Sequence, residues 1–285
     1  MKGVSDKNWI LTKRALEKND LQPHVWIVKN GMRYFFIDSS APKDAIFSIT
    51  GPDARHIRTV LRLKSGDKIG LFDGKGFECE AEIVDLSHGK VTASLIRSFP
   101  STAESPIRIT VAQGFLKERK MDGLVRQLSE LGITKWMPFI AERSVPVPDK
   151  KQLLSRTKRW GKIAREAVKQ CRRGRTMKIG DTVSFSEVLN LAGDCDLKIA
   201  FWEDESRPVQ SIKPQSAIQT VFALIGPEGG FTRNEIEKTK DHGFVTAGLG
   251  PRILRAETAA VAAGVLLQYL FGDMNQKYLD KKTGL

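Results

Sequence analysis

Cysteine and histidine are scarce in this sequence. The three cysteines, Cys79, Cys171 and Cys195, are odd in number and far apart, so no disulfide framework is expected and a reducing cytoplasm fits. The four histidines, His24, His56, His88 and His242, share no ligand spacing with one another or with the cysteines, and no metal is expected. No apolar run approaches the roughly 20 residues of a membrane span. The N-terminus carries scattered charges and no hydrophobic signal core, so no export is implied. Nucleotide-phosphate motifs are missing too. No P-loop occurs, and Gly248-Leu249-Gly250 lacks the third glycine of the dinucleotide fingerprint. Acid falls short of base, with 33 Asp and Glu against 46 Lys and Arg, a net charge of +13 and a pI near 9.7. Polyanions are the partners this balance suits, nucleic acid before an anionic membrane.

What is present is a chain of 285 residues, 41% of them hydrophobic, enough for one large or two modest domains without covalent staples. Residues 1–31 are mixed and polar and read as a loosely ordered extension without a catalytic role, with an added RNA-binding arm as the alternative. From Met32 to about Phe99, short alternating strands are separated by turn chemistry such as Ser65-Gly66-Asp67 and Asp73-Gly74-Lys75-Gly76. The pattern predicts a small β-barrel over 32–100. Its one helix, predicted from Asp53 to Leu63, carries Arg55, His56, Arg58 and Arg62 on a face that leaves out Val60 and Leu61. That face is either an RNA contact or merely solvated. A proline-marked link, Pro100 to Pro106, then separates a second domain over 106–273, and 274–285 read as a tail.

The second domain alternates strand and helix, which predicts an α/β fold on a mostly parallel sheet. Ile107 to Ala112 and Ile133 to Ile140 read as strands on either side of a helix marked by Met121, Leu124, Val125, Leu128 and Leu131. Residues 151–178 hold eleven Lys or Arg and a single acid, Glu166, with an apolar stripe through Trp160, Ala164 and Val168. This is an amphipathic basic helix. RNA is the preferred partner, with a membrane surface as the rival. The last helix, Glu257 to Phe271, is apolar nearly all round, which predicts burial on every side.

Two strand ends carry the strongest signal. Thr220 to Ile225 runs into Gly226-Pro227-Glu228-Gly229-Gly230, and Phe244 to Leu249 runs into Gly250-Pro251-Arg252. Between them a helix opens at Thr232 with Glu235 three residues on, a capping-box spacing. Glycine lets a ligand approach the backbone and proline fixes the turn. Crevices outside the carboxyl ends of parallel strands bind ligands. Such a pocket suits a neutral purine edge, a ribose or an amino-acid group better than a phosphate.

The runs "LIGPEGGFTRNEIE" and "LGPRILRAETAA" resemble the cofactor-binding end of the RsmE family, SPOUT-class methyltransferases that modify the ring N3 of a uridine in 16S ribosomal RNA of the small subunit. The likeness covers residues 32–273, and "HIRTVLRLKSGDKIGLFDGKG" resembles the PUA-like N-terminal domain of that family. The resemblance implies a SPOUT-type, trefoil-knotted Rossmann-like domain behind a PUA-like β-barrel, S-adenosylmethionine as cofactor, a homodimer formed partly through the last helix, and no metal. It surrounds the cofactor with Leu224, Gly226, Pro227, Glu228, Gly230, Leu249, Gly250, Ile253, Leu254, Arg255 and Thr258. Arg255 is the candidate cation for the developing anion, and Glu257 the weaker candidate base. Arg143, in Glu142-Arg143-Ser144, and Arg173, in Gln170-Cys171-Arg172-Arg173, match family positions and join Arg55, His56, Arg58 and Arg62 as candidate RNA contacts. Arg143 has a surface-loop ion pair as its alternative. Glu203, after the strand Leu197 to Trp202, either lines the pocket or is an exposed loop carboxylate. The chain departs from the family where Arg126-Gln127 stands for Gln-Lys and where Ala256 stands for Thr. Other readings stay open: the same fold acting on another RNA or on a ribose hydroxyl, a non-catalytic RNA-binding assembly factor, and a cationic membrane-surface protein.

Overall fold

Long alternating strands with little to pack on their outer side must curl to bury their inner one, and the first sheet does so. A computed structural model describes residues 32–37, 45–87, 89–101, 103–117, 119–145, 148–214 and 216–276. The extension read over 1–31 and most of the tail lie outside the described residues. Strands β1 (Tyr34–Phe36), β2 (Ile46–Thr50), β3 (Lys68–Phe72), β4 (Phe77–Ser87) and β5 (Lys90–Pro100) form a five-stranded sheet in the order β1-β3-β4-β5-β2. The β4–β5 register shifts between Glu80 and Ala81 and again between Ile83 and Asp85. Such bulges raise the local twist and bend the ribbon. Ile69, Leu71, Ala81, Ile83 and Val91 fill the concave side together with Ala54 and Ile57.

The helix of this domain differs from the sequence expectation. It begins earlier, as α1 (Gly51–Arg55), and continues as a π-helical stretch, His56–Val60, in which Leu61 N–H donates to the His56 carbonyl five residues back. The wider turn shifts every later side chain relative to an α-helical face. Arg55 and His56 are exposed, Arg58 donates to the Ser87 carbonyl, and Arg62 stands beyond the helix end at φ +52°. The four cations therefore do not share one α-helical face.

The second sheet holds β6 (Arg108–Gly114), β7 (Lys135–Ile140), β8 (Lys178–Ile179), β9 (Val183–Ser184), β10 (Leu197–Phe201), β11 (Thr220–Ile225) and β12 (Val245–Ala247), all parallel. Its order is β12-β10-β11-β6-β7-β8, with β9 beside β7. Helices α2 (Lys120–Glu130), α3 (Lys150–Cys171) and α6 (Ala256–Phe271) cover one face through Leu124, Trp160, Ala260 and Leu267. The other face packs on α4 (Phe185–Leu191) and α5 (Arg233–Asp241) through Val188 and Ile236. Both α4 and α5 open with a complete capping box, Ser184 with Glu187 and Thr232 with Glu235. No helix among the described residues is long and apolar enough to cross a membrane.

Two sequence expectations are corrected here. The last helix is not buried on every side, because Val265 and Tyr269 are 37% and 54% exposed. An all-round apolar helix needs cover on all sides, and a single chain covers only the Ala260, Ala263 and Leu267 side. Arg173 is not available to RNA. It is 3% exposed, pairs with Glu104 at 2.9 Å, and donates to the carbonyls of Ser129 and Ile133. Removing one partner of a buried pair leaves the other charge uncompensated, at a cost of about 3–5 kcal/mol. Arg173→Ala should therefore lower the melting temperature sharply. A melting curve unchanged by the substitution would contradict the structural role.

Candidate active site

The pairing registers bring four strand ends level. Phe201 closes β10 opposite Ile225 of β11 and Ala247 of β12, and Ile225 lies opposite Gln113 of β6. The chain leaves β11, runs through α5 and returns as β12 on the far side of β10. A connection that skips a strand leaves a crevice at the carboxyl ends. Here the crevice is a cavity of about 340 Å³ walled by three loops: Phe201 to Glu203, Ile225 to Gly230, and Leu249 to Arg255.

The Gly226 loop is held from below. Gln113 Nε2 donates to the Gly226 carbonyl at 2.9 Å. Gly114 follows, and a Cβ there would lie 2.4 Å from the backbone nitrogen of Pro227. Only glycine permits that approach between the end of β6 and the turn after β11. At the loop's other end Gly230 has φ +66°, and a Cβ on it would meet a Glu203 carboxylate oxygen at 2.0 Å. The third loop is pressed equally close. A Cβ on Gly248 would lie 2.1 Å from the Glu205 carbonyl oxygen, and Gly248 N–H donates to the Arg207 carbonyl.

Most of the sequence candidates meet at this cavity. Gly226, Pro227, Glu228, Gly230, Leu249, Gly250, Ile253, Leu254 and Arg255 line it, as does Glu203. Two do not. Leu224 is fully buried in the core beneath, and Thr258 is exposed on the first turn of α6 without lining the wall. In a parallel strand alternate residues face opposite sides of the sheet, which puts Leu224 one residue off the register that reaches the cavity. Arg255 caps α6 with extended backbone, is exposed, and makes no ion pair with a described residue.

Glu257 is drawn elsewhere. It lies outside the cavity lining, 3.7 Å from Lys120 Nζ, and its Oε2 is buried without a hydrogen-bond partner among the described residues. Lys120 itself is on the wall and bridges to Glu228 at 3.0 Å. No sequence signal beyond a lone lysine at the start of a helix marked it, although it follows β6 at the sheet end where ligands gather. Phe201, Trp202 and Arg252 were missed in the same way.

The pair responds to pH at both ends. Burial pushes the Glu228 carboxyl up, but hydrogen bonds from Lys120 and the Lys117 N–H outweigh it and hold the group below its ordinary value. The hydrogen bond to Glu228 raises the Lys120 ammonium above its own. The Glu228 contribution is present above its ordinary pKa and is lost as pH falls through the lowered value. The Lys120 contribution is present below its ordinary pKa and is lost as pH rises through the raised one. In Lys120→Gln the Glu228 titration should move up toward the ordinary range, read by NMR of the carboxyl carbon. An unmoved titration would show that Lys120 does not set it.

Outside the cavity, Arg143 donates to the Gly229 carbonyl at 3.1 Å, and Glu142 N–H donates to Glu235 at 2.9 Å. The Glu142-Arg143-Ser144 turn thus braces the Gly226 loop. Arg55, His56, Arg58 and Arg62 belong to the first sheet's helix region and line no part of the cavity. Among the described residues no group of three or more His, Cys, Asp or Glu could hold a metal.

Known proteins give this arrangement a class. A family model described as an RNA methyltransferase domain matches residues 103–268, and one described as an RNA methyltransferase PUA domain matches 49–96. The ribosomal RNA small subunit methyltransferase E of Bacillus subtilis is 36% identical over 232 residues, covering 78% of this chain and 90% of that protein. The Synechocystis enzyme of the same name is 31% identical, covering 77% and 72%. A crystal structure of the Neisseria gonorrhoeae enzyme, bound to S-adenosyl methionine, aligns with TM-score 0.76 at 28% identity over 85% of this chain and 99% of that one. A parallel sheet with three loops gathered at its switch point, behind a curled PUA-like sheet, is the architecture of a SPOUT-class RNA methyltransferase. The chain belongs to the ribosomal RNA small subunit methyltransferase E family.

Proposed function

We propose that the chain transfers a methyl group from S-adenosylmethionine to the N3 position of a uridine in 16S ribosomal RNA of the small subunit. The single observation that carries this is the cavity at the level ends of β10, β11 and β12, walled by the family's own glycine-proline turns. Its size is within the range of small-ligand sites. Its walls fit the cofactor's chemistry: Phe201, Ile225, Leu249 and Leu254 offer apolar surface, the turns offer backbone donors and acceptors, and Glu203 offers a carboxylate to a cationic ligand.

The bound cofactor supplies its methyl as an electrophile on the sulfonium. The residues prepare the other side of the reaction. Uridine's ring N–H is mostly protonated at neutral pH, so the nitrogen becomes a nucleophile only if its anion is stabilised as the proton leaves. Arg255 stands at the cavity wall and makes no ion pair with a described residue. A fixed cation there stabilises charge developing on the uracil carbonyl oxygens. Arg143 and Gln113 keep the Gly226 loop in shape for the cofactor. Glu257, whose buried Oε2 has no hydrogen-bond partner among the described residues, keeps its place as the candidate group that takes the ring proton.

The exposed apolar residues of α6, Val265 and Tyr269, with Ile253 at 90% exposure, support a homodimer formed over this helix and the cavity rim. Sedimentation equilibrium at micromolar concentration should read twice the chain mass of 31.8 kDa. A monomer would remove that part of the reading. Arg55, His56, Arg62 and Arg143, all exposed, are the side chains of the candidate RNA set open to substrate contact, Arg143 while donating to the Gly229 carbonyl.

The test is titration calorimetry with S-adenosylmethionine, followed by incubation of the protein with unmodified small subunits and cofactor labelled on the methyl. Binding and label in RNA support the reading. Cofactor bound without label in small-subunit RNA would point to another RNA. No binding at all would leave an RNA-binding protein on this scaffold.

A further inference from the structure

Four of the eight Lys and Arg of α3 share one line along the helix. At about 100° per residue, Lys158, Lys162 and Lys169 fall within about 20° of Lys151. Trp160, 1% exposed in the core, lies about 180° from them. The four lysines thus form one straight row on the outermost line of the helix, about 27 Å long at 1.5 Å per residue. Lys169 ends the row against the first sheet. Its Nζ is 3.2 Å from Asp53 of α1 and 6.0 Å from the centre of the Phe36 ring. Because the four share an azimuth, Lys151, Lys158 and Lys162 continue the line that meets α1, the helix that also carries Arg55. These three are exposed and form no ion pair with a described residue. The one acid in the run, Glu166, sits about 60° round the helix and pairs with Lys169.

We infer that this row is a second RNA-binding face, a phosphate-binding ridge that carries the RNA backbone from α1 across the α/β domain. The inference rests on the RNA-methyltransferase reading for its partner, but on the geometry of α3 for its place. A straight row of flexible ammonium groups reads phosphate positions and not base edges, so it contributes affinity and register without sequence preference. A lipid surface fits less well. A membrane-surface helix must insert its apolar face, and here that face is spent on Trp160, Ala164 and Val168, which are buried.

The test replaces Lys151, Lys158 and Lys162 together by glutamine in the full chain and measures binding of a fluorescent RNA hairpin of arbitrary sequence over a salt series. Each lost phosphate contact removes about 0.7–0.9 from the slope of log K against log salt. The slope should therefore fall by about 2–3, with affinity near 0.15 M salt weakened about tenfold or more. The matching triple arginine variant should keep the wild-type slope, which separates charge from folding. Calorimetry should find cofactor affinity unmoved in both. A glutamine variant with wild-type slope and affinity overturns the ridge. So does loss of binding to phosphatidylserine vesicles with RNA binding intact, which would make the row a membrane contact. Because the hairpin is of arbitrary sequence, a wild-type protein that fails to methylate small subunits would cost the functional reading and leave this result standing.

Discussion

Arg255→Ala is expected to lower kcat for methyl transfer about 10²–10³-fold while leaving cofactor affinity within a few-fold. The argument starts from position. Arg255 is the N-cap of α6 and a wall residue of the cavity, and it has no carboxylate partner among the described residues. The neighbouring acids are otherwise engaged, since Glu228 and Glu257 both face Lys120. A guanidinium left unpaired beside a ligand cavity is available for charge that appears only during the reaction. Interactions realised in the transition state change kcat and not ground-state binding. Arg255→Lys should recover part of the loss, because it keeps the charge and gives up the planar fork. A variant with weakened cofactor binding and intact kcat would instead make Arg255 a cofactor ligand.

Gly114→Ala should be as damaging, by a different route. The new methyl would meet the Pro227 backbone nitrogen at 2.4 Å and the Gly226 carbonyl carbon at 2.8 Å. Both neighbours are backbone and cannot rotate away. The β11 turn must move, and it takes with it the Gly226 carbonyl that Gln113 holds. A displacement of about 1 Å in a positioning element can cost 10²-fold. Cofactor affinity measured by calorimetry should fall by about that factor, with melting temperature lowered as well. Affinity equal to wild type would mean that the turn does not shape the cofactor site.

The two substitutions also mark what the sequence could and could not disclose. The Gly226-Pro227 and Gly250-Pro251 turns were legible because their chemistry is local: glycine and proline announce a turn wherever they stand. The strand–helix alternation and both capping boxes were legible for the same reason. Gly114 was not, because its need for a bare Cα comes from Pro227, more than a hundred residues away in the chain. Arg173 and Lys169 look alike in a basic run, yet one is sealed against Glu104 and two carbonyls while the other joins the two sheets through Asp53. Burial is a property of the assembled fold, and a charge run does not disclose which members it claims. The π-helical turn after Arg55 is a further case. It adds a residue to one turn, and no residue type in the stretch His56–Val60 signals it.

Lys120 shows the same limit at the site. Sequence places it one residue before Met121, with nothing to link it to Glu228 or Glu257. The fold brings all three together, with Lys120 3.0 Å from Glu228 and 3.7 Å from Glu257. Leu224 and Thr258 stay out of the cavity lining for a reason of phase, each being a neighbour in sequence of residues that do reach it.

The most direct test of the central claim is the identity of the methylated nucleoside. Unmodified small subunits would be incubated with the protein and S-adenosylmethionine carrying a labelled methyl, and the RNA digested and resolved by mass spectrometry. Label in 3-methyluridine, absent with Arg255→Ala, is the result this account predicts. Label on a ribose hydroxyl or on a carbon of the base would contradict it, because neither product forms through the ring-nitrogen anion that we propose Arg255 stabilises.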